Sequence, residues 1–135
     1  MVLSKGNPMW RNGQTSSSSS NSAASFERPI DLVHLARQTL GDRSLEQEIL
    51  ALYCKQSQTL LARIEEGGCS RQRADFAHTL VGSSRAVGAW QVASAAENIE
   101  VVAPGQDKEF AKALENLRTC VKAACDTIVD LQRVH

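Results

Sequence analysis

A chain of 135 residues with fifteen basic and fifteen acidic side chains has no formal net charge at pH 7, which argues against a dedicated nucleic-acid or membrane surface. Apolar residues make up 42% and aromatics only 4%, so the core must come from Leu, Ile, Val and Ala, a composition suited to helices packed on helices. No apolar run approaches the roughly 18–20 residues that cross a bilayer, and no signal-peptide core opens the chain. A cytoplasmic protein is expected, with one domain of roughly 105 residues and a tail.

Residues 1–27 read as a disordered tail. Gln14 to Ser25 is mostly serine, with an unbroken run from Ser16 to Ser20, and such a stretch buries too little apolar surface to offset the entropy of ordering. Residues 28–135 read as a helical bundle domain. The first helix starts at Asp31, an N-cap residue type, carries Leu32, Val33, Leu35, Ala36 and Leu40, and stops at Gly41. The second opens with Ser44 and Gln47 at capping-box spacing. Its apolar positions Leu45, Ile49, Leu52, Tyr53, Leu60 and Ile64 keep helical spacing until Gly67-Gly68.

A third helix is predicted over residues 70–87 and a fourth over 90–102. The fourth buries Val92, Ala96 and Ile99 and is closed by Pro104-Gly105. The fifth repeats Phe110, Leu114, Leu117, Val121, Ala124, Ile128 and Leu131 in steps of four and three, with charges on its other faces. Short connections between long amphipathic helices favour antiparallel neighbours. The expected fold is therefore all-α: an antiparallel up-down four-helix bundle, with the short first helix across one end.

The third helix carries the chemistry. With His78 at zero and about 100° per residue, Phe76, Leu80, Ser83 and Val87 fall on the opposite side, and the imidazole faces outward. Arg71 and Arg85 share the histidine's face, and Asp75 and Gly82 lie about a turn away. A helical glycine costs roughly 1 kcal/mol relative to alanine. Gly82 is explained equally by clearance for a docking partner or by close packing against a neighbouring helix. By itself, an outward histidine on an amphipathic helix is most often a solvated polar residue.

The string around it changes that weighting. His78-Thr-Leu-Val-Gly-Ser-Ser, followed by Val87-Gly-Ala, resembles the signature of histidine-containing phosphotransfer (Hpt) domains of two-component signalling. The layout of a short helix and four long ones over residues 29–134 resembles that family too. The resemblance implies that His78 accepts a phosphoryl group from a phospho-aspartate receiver domain and passes it to another, reversibly. The partners would be response-regulator receivers or a hybrid histidine kinase. The docking face would lie on helices two and three, with Ala74 and Val81 supplying apolar contact. Magnesium is expected on the partner receiver only, and this chain needs no cofactor or metal. It would be a phosphocarrier rather than an enzyme.

One departure stands out. The family usually places lysine three residues after the histidine, and this chain has Val81. A cation there attracts phosphate oxygens and partner carboxylates. Arg85, and with it Arg71, is the expected substitute, although each lies two turns from His78, roughly 10 Å along the axis. The alternative reading is a phosphorylation-incompetent Hpt-like bundle that binds and inhibits a receiver or histidine kinase.

Other chemistries find little support. Cys54, Cys69, Cys120 and Cys125 form no CxxC pair and read as small buried or half-buried residues. Ser83 and Ser84 cannot reach the outward imidazole from the buried side, so a hydrolase is not expected. His34 and His135 read as solvated. No Gly-rich nucleotide loop is present, so no ATP site is expected. The sequence sets no oligomeric state.

Overall fold

Two aspartates start the first two helices. The Asp31 carboxylate accepts the His34 backbone N–H at 3.1 Å and opens α1, Leu32–Thr39. Asp42 accepts the Leu45 N–H at 3.0 Å and opens α2, Arg43–Glu66. Each carboxylate satisfies an N–H that the first helical turn leaves without a partner. The capping-box spacing predicts Ser44 for the second start. Ser44 instead lies inside the first turn, because Asp42 already takes the Leu45 N–H. Three helices follow: α3, Ser70–Val87; α4, Trp90–Val102; and α5, Asp107–Val134. The computed structural model describes residues 28–104 and 107–134, and contains no strand among them. The tail assigned to residues 1–27, Gly105 and the terminal His135 lie outside the described residues.

The long helices run up and down. Gln132 donates to the Gln47 carbonyl at 3.2 Å, Arg118 pairs with Glu65, and Ser57 Oγ lies 3.8 Å from Cys125 Sγ. Falling numbers on α5 against rising numbers on α2 make that pair antiparallel. Tyr53 in the middle of α2 meets Ser84 near the end of α3, and Arg63 near the end of α2 lies over Phe76 in the first half of α3, so α2 and α3 are antiparallel as well. α4 closes the ring between α3 and α5. The core holds Leu50, Tyr53, Leu60 and Ile64 from α2, Val92, Ala96 and Ile99 from α4, and Leu114, Leu117, Val121, Ala124 and Ile128 from α5. Two expected core positions are outside it: Leu52 is 66% exposed and Leu45 40%. They fall on the outer side of α2, whose inner face is already filled by Leu50, Tyr53 and Ser57.

α1 lies across the end where α3 turns into α4. The Asp31 N–H donates to the Gly88 carbonyl at 2.9 Å, and the Trp90 indole N–H donates to Asp31 Oδ2 at 2.9 Å. Gly88 has φ +82°, and a Cβ there would sit 2.9 Å from the Asp31 carbonyl oxygen. Backbone conformation and close approach both demand glycine at this corner. His34 is not solvated as its sequence position suggests. Its ring packs edge-on against Trp90 with centroids 4.8 Å apart, and its Nε2 is buried. Of the apolar residues expected on the first helix, Leu35 is buried, whereas Val33 and Leu40, the latter at the C-cap beyond α1, are 61% and 93% exposed.

Candidate functional site: the exposed histidine of α3

α3 owes its orientation to small residues. Its buried side chains are Ala77, Leu80, Val81, Ser84 and Val87. The buried arc is thus turned by about 60° from the one that large side chains alone suggest, given about 100° per residue. Phe76 is only half-buried, under the Arg63 guanidinium at 5.8 Å. α4 presents Ala93, Ala95 and Ala96 as buried residues, so two slim surfaces meet and the helices approach closely. Ser84 belongs to this core. Its hydroxyl meets the Tyr53 OH at 2.7 Å, and burial pushes the tyrosine well above its ordinary range.

The rotation decides which predicted site residues reach the surface. His78 does, with 78% of its side chain exposed. Arg71, Asp75, Gly82 and Arg85 are exposed on α3 as well, and Ala74 is half-buried. Val81 does not reach it: at 4% exposure it packs in the core. The expectation that Val81 offers apolar contact to a partner is therefore corrected. The buried arc runs through position 81 because α4 covers that side of α3.

Close packing against a neighbouring helix does not explain Gly82. A Cβ built there would meet no atom within 4 Å, so no neighbouring helix requires glycine at this position. The residue leaves bare helix surface one turn beyond the imidazole.

Two carboxylates of α4 complete the site. Glu100 Oε2 lies 3.1 Å from His78 Nδ1. Glu97, one turn earlier, pairs with Arg85. The cation expected to replace the missing lysine is thus held by an acid, with about half of each side chain exposed. Pairs of that kind are worth roughly 0–1 kcal/mol, so a competing anion can displace Glu97. Arg71 has no ion-pair partner among the described residues. Neither Glu97 nor Glu100 was identified from the sequence. Their spacing of three places both on one face of an otherwise uncharged, Ala-rich helix, which was the available signal.

The cysteines lie apart from this face. Cys125 is buried, its Sγ donating to the Cys54 carbonyl at 3.7 Å, and burial with the neighbouring Cys54 pushes its thiol up to about 12. Burial raises Cys120 as well. Among the described residues no group of three or more His, Cys, Asp or Glu side chains is placed to hold a metal ion. No helix among them is long and apolar enough to cross a membrane.

The imidazole thus faces outward beside bare helix surface, with a carboxylate on one ring nitrogen and no hydrogen-bond partner among the described residues on the other. The Hpt domain family model matches residues 48–131, a span that starts in α2 and ends in α5 and includes His78. No curated protein and no solved structure matches the chain. The match covers more than half of the sequence, and the all-helical bundle agrees with it. The chain therefore belongs to the Hpt domain family, whose members take part in His-Asp phosphorelay with receiver domains and histidine kinases.

Proposed function

We propose that this protein is a histidine phosphotransfer module in which His78 takes a phosphoryl group from the phospho-aspartate of one receiver domain and gives it to another. The observation that carries this reading is the exposure of His78 beside Gly82, on a helix whose opposite side is locked into the core. Imidazole is a good nitrogen nucleophile near neutrality, since its ordinary pKa is about 6.5. The chain needs only to present that nitrogen. The receiver supplies the acyl phosphate and the magnesium ion, and no ATP site or cofactor is required here. Arg85 and Arg71 supply positive field to the incoming phosphoryl group, with Ala74, Asp75 and Gly82 forming the surrounding contact surface. A phosphocarrier working with such partners would act in the cytoplasm.

A second reading is an Hpt-like inhibitor that binds a receiver or kinase without taking phosphate. Val81 favours it, because the position that usually offers lysine is apolar and buried. Competition assays with His78→Gln separate the two. A relay protein loses the ability to drain phosphate from a receiver once the imidazole is gone. An inhibitor retains its full effect with glutamine in that place.

A further inference from the structure

The seam between α2 and α5 carries a pair of cysteines that the phosphotransfer reading does not use. Cys54 belongs to α2 and Cys125 to α5, and both are free thiols. Cys125 Sγ donates to the Cys54 carbonyl at 3.7 Å. Ser57 Oγ donates to the same carbonyl at 3.1 Å and lies 3.8 Å from Cys125 Sγ. The two thiols are themselves hydrogen-bonding neighbours. A disulfide requires roughly 4.4–6.8 Å between its Cα atoms, and a sulfur that already rests on its partner's main chain is the close approach this demands. We propose that Cys54 and Cys125 are an oxidant-responsive dithiol: hydrogen peroxide oxidises Cys54, and Cys125 then closes a disulfide that fastens α2 to α5. The inference does not depend on the relay.

The two sulfurs differ in the way such a pair needs. Cys54 is half-buried and open to a small oxidant, with the Gln58 amide donating to its Sγ at 3.9 Å. Cys125 is only 5% exposed, and burial, with the neighbouring Cys54, pushes its thiol up to about 12. The thiolate, not the thiol, is the nucleophile, so Cys125 stays inert until Cys54 has been oxidised beside it. Cys120 is the competing partner on α5. Five residues at about 100° each turn it roughly 140° from Cys125, and its Sγ is directed to Asn116 Oδ1 at 4.0 Å. Cys69 is exposed at the N-cap of α3. Disulfides formed in reducing compartments are usually transient and redox-sensing, which is the behaviour this pair would show.

Hydrogen peroxide is the sole oxidant required. The Cys54 thiolate forms an S–O bond as the O–O bond breaks; hydroxide leaves, and the product is a sulfenic acid. The Cys125 sulfur then forms the S–S bond as that S–O bond breaks. The second hydroxide takes the Cys125 proton, and the first takes the proton that Cys54 released, so both depart as water. The two thiols together lose two electrons, which reduce one peroxide to two waters. The closed loop runs from residue 54 to residue 125 and restricts the unfolded chain, which is how a crosslink mainly stabilises a fold. Tyr53, next to Cys54, holds Ser84 on the core side of α3. The lock therefore borders the contact that supports the histidine helix and leaves His78 uncovered.

The test treats the reduced whole chain with a small excess of hydrogen peroxide. Mass-spectrometric peptide mapping without reduction should give a linked Cys54–Cys125 peptide with Cys120 still a free thiol, and dithiothreitol should reverse the link. The oxidised chain should melt roughly 10 °C above the reduced one. Closure should quicken as pH rises, because Cys125 must give up its proton. Cys54→Ser should form no link and show no rise in the melt. In Cys125→Ser the sulfenic acid on Cys54 should persist and be captured by dimedone. The serine hydroxyl can still donate to the Cys54 carbonyl, so that variant should keep the helical circular-dichroism spectrum; if it does not fold, the wild-type map alone decides. A link from Cys54 to Cys120 or Cys69, or no linked Cys54–Cys125 peptide, overturns the proposal. So does a linked chain that melts where the reduced one does.

Discussion

The Tyr53 hydroxyl and Ser84 Oγ meet at 2.7 Å inside the core, tying α2 to the helix that carries His78 on its opposite side. Removing one partner leaves the other polar and buried, at a cost of about 1–3 kcal/mol. Tyr53→Phe and Ser84→Ala should each lower stability by that amount in urea melts. The double variant should lose less than the sum, because it leaves no unpaired hydroxyl. Additive losses would show that the two groups are independently satisfied.

Gly82 predicts opposite effects on stability and transfer. A Cβ there meets nothing, and alanine is better than glycine in a helix by up to about 1 kcal/mol. Gly82→Ala should therefore raise the unfolding midpoint. A long side chain such as Gly82→Gln should fold equally well yet weaken receiver binding, about tenfold or more by calorimetry, by filling the surface beside the imidazole. A destabilised Gly82→Ala would instead reveal a packing role.

The Arg85–Glu97 pair is the third point of test. If Arg85 leaves Glu97 to meet an incoming phosphoryl group or acidic receiver pocket, Glu97→Gln should speed transfer several-fold at low salt. Arg85→Ala should slow it by a similar factor, and both effects should shrink as salt rises. An Arg85→Ala rate equal to wild type at low salt removes arginine from the site.

Much of the bundle was legible because helical periodicity and caps are local. Asp31, the Gly67-Gly68 break and the uninterrupted spacing from Phe110 to Leu131 mark elements that the structure contains. The facing of α3 was harder to read. Large side chains placed its buried side around Phe76 and Ser83, whereas the close approach of Ala-rich α4 buries Ala77, Val81 and Ser84 instead. That tertiary choice removes Val81 from the surface. It also brings Glu100 to His78 across 22 residues of sequence, a relationship that no motif within α3 could disclose. Spacing alone puts Leu52 inside, because it cannot distinguish the inner from the outer edge of an apolar stripe; the structure leaves it 66% exposed.

The α1 corner carries a pH signature. Burial pushes the Asp31 carboxyl up, but hydrogen bonds from the Trp90 indole and the His34 backbone, with the nearby His34 ring, outweigh it and hold the group below its ordinary value. A carboxyl depressed in the folded state stabilises the fold above its unfolded pKa, near 3.9, and that contribution is lost as pH falls through the lower folded value. Asp31→Asn keeps a capping side chain without the charge. Wild type should be the more stable near neutrality, and the gap should close below about pH 4. A constant gap across the acid range would mean that the charge contributes nothing.

The most direct test of the central claim is transfer of radiolabelled phosphate from phosphorylated receiver domains to this chain and to its His78→Gln variant. Acid-labile, base-stable label should appear on wild type as it disappears from a receiver, and His78→Gln should stay unlabelled. Label that persists on His78→Gln, or wild type that binds a phosphorylated receiver and never takes its phosphate, would contradict the account.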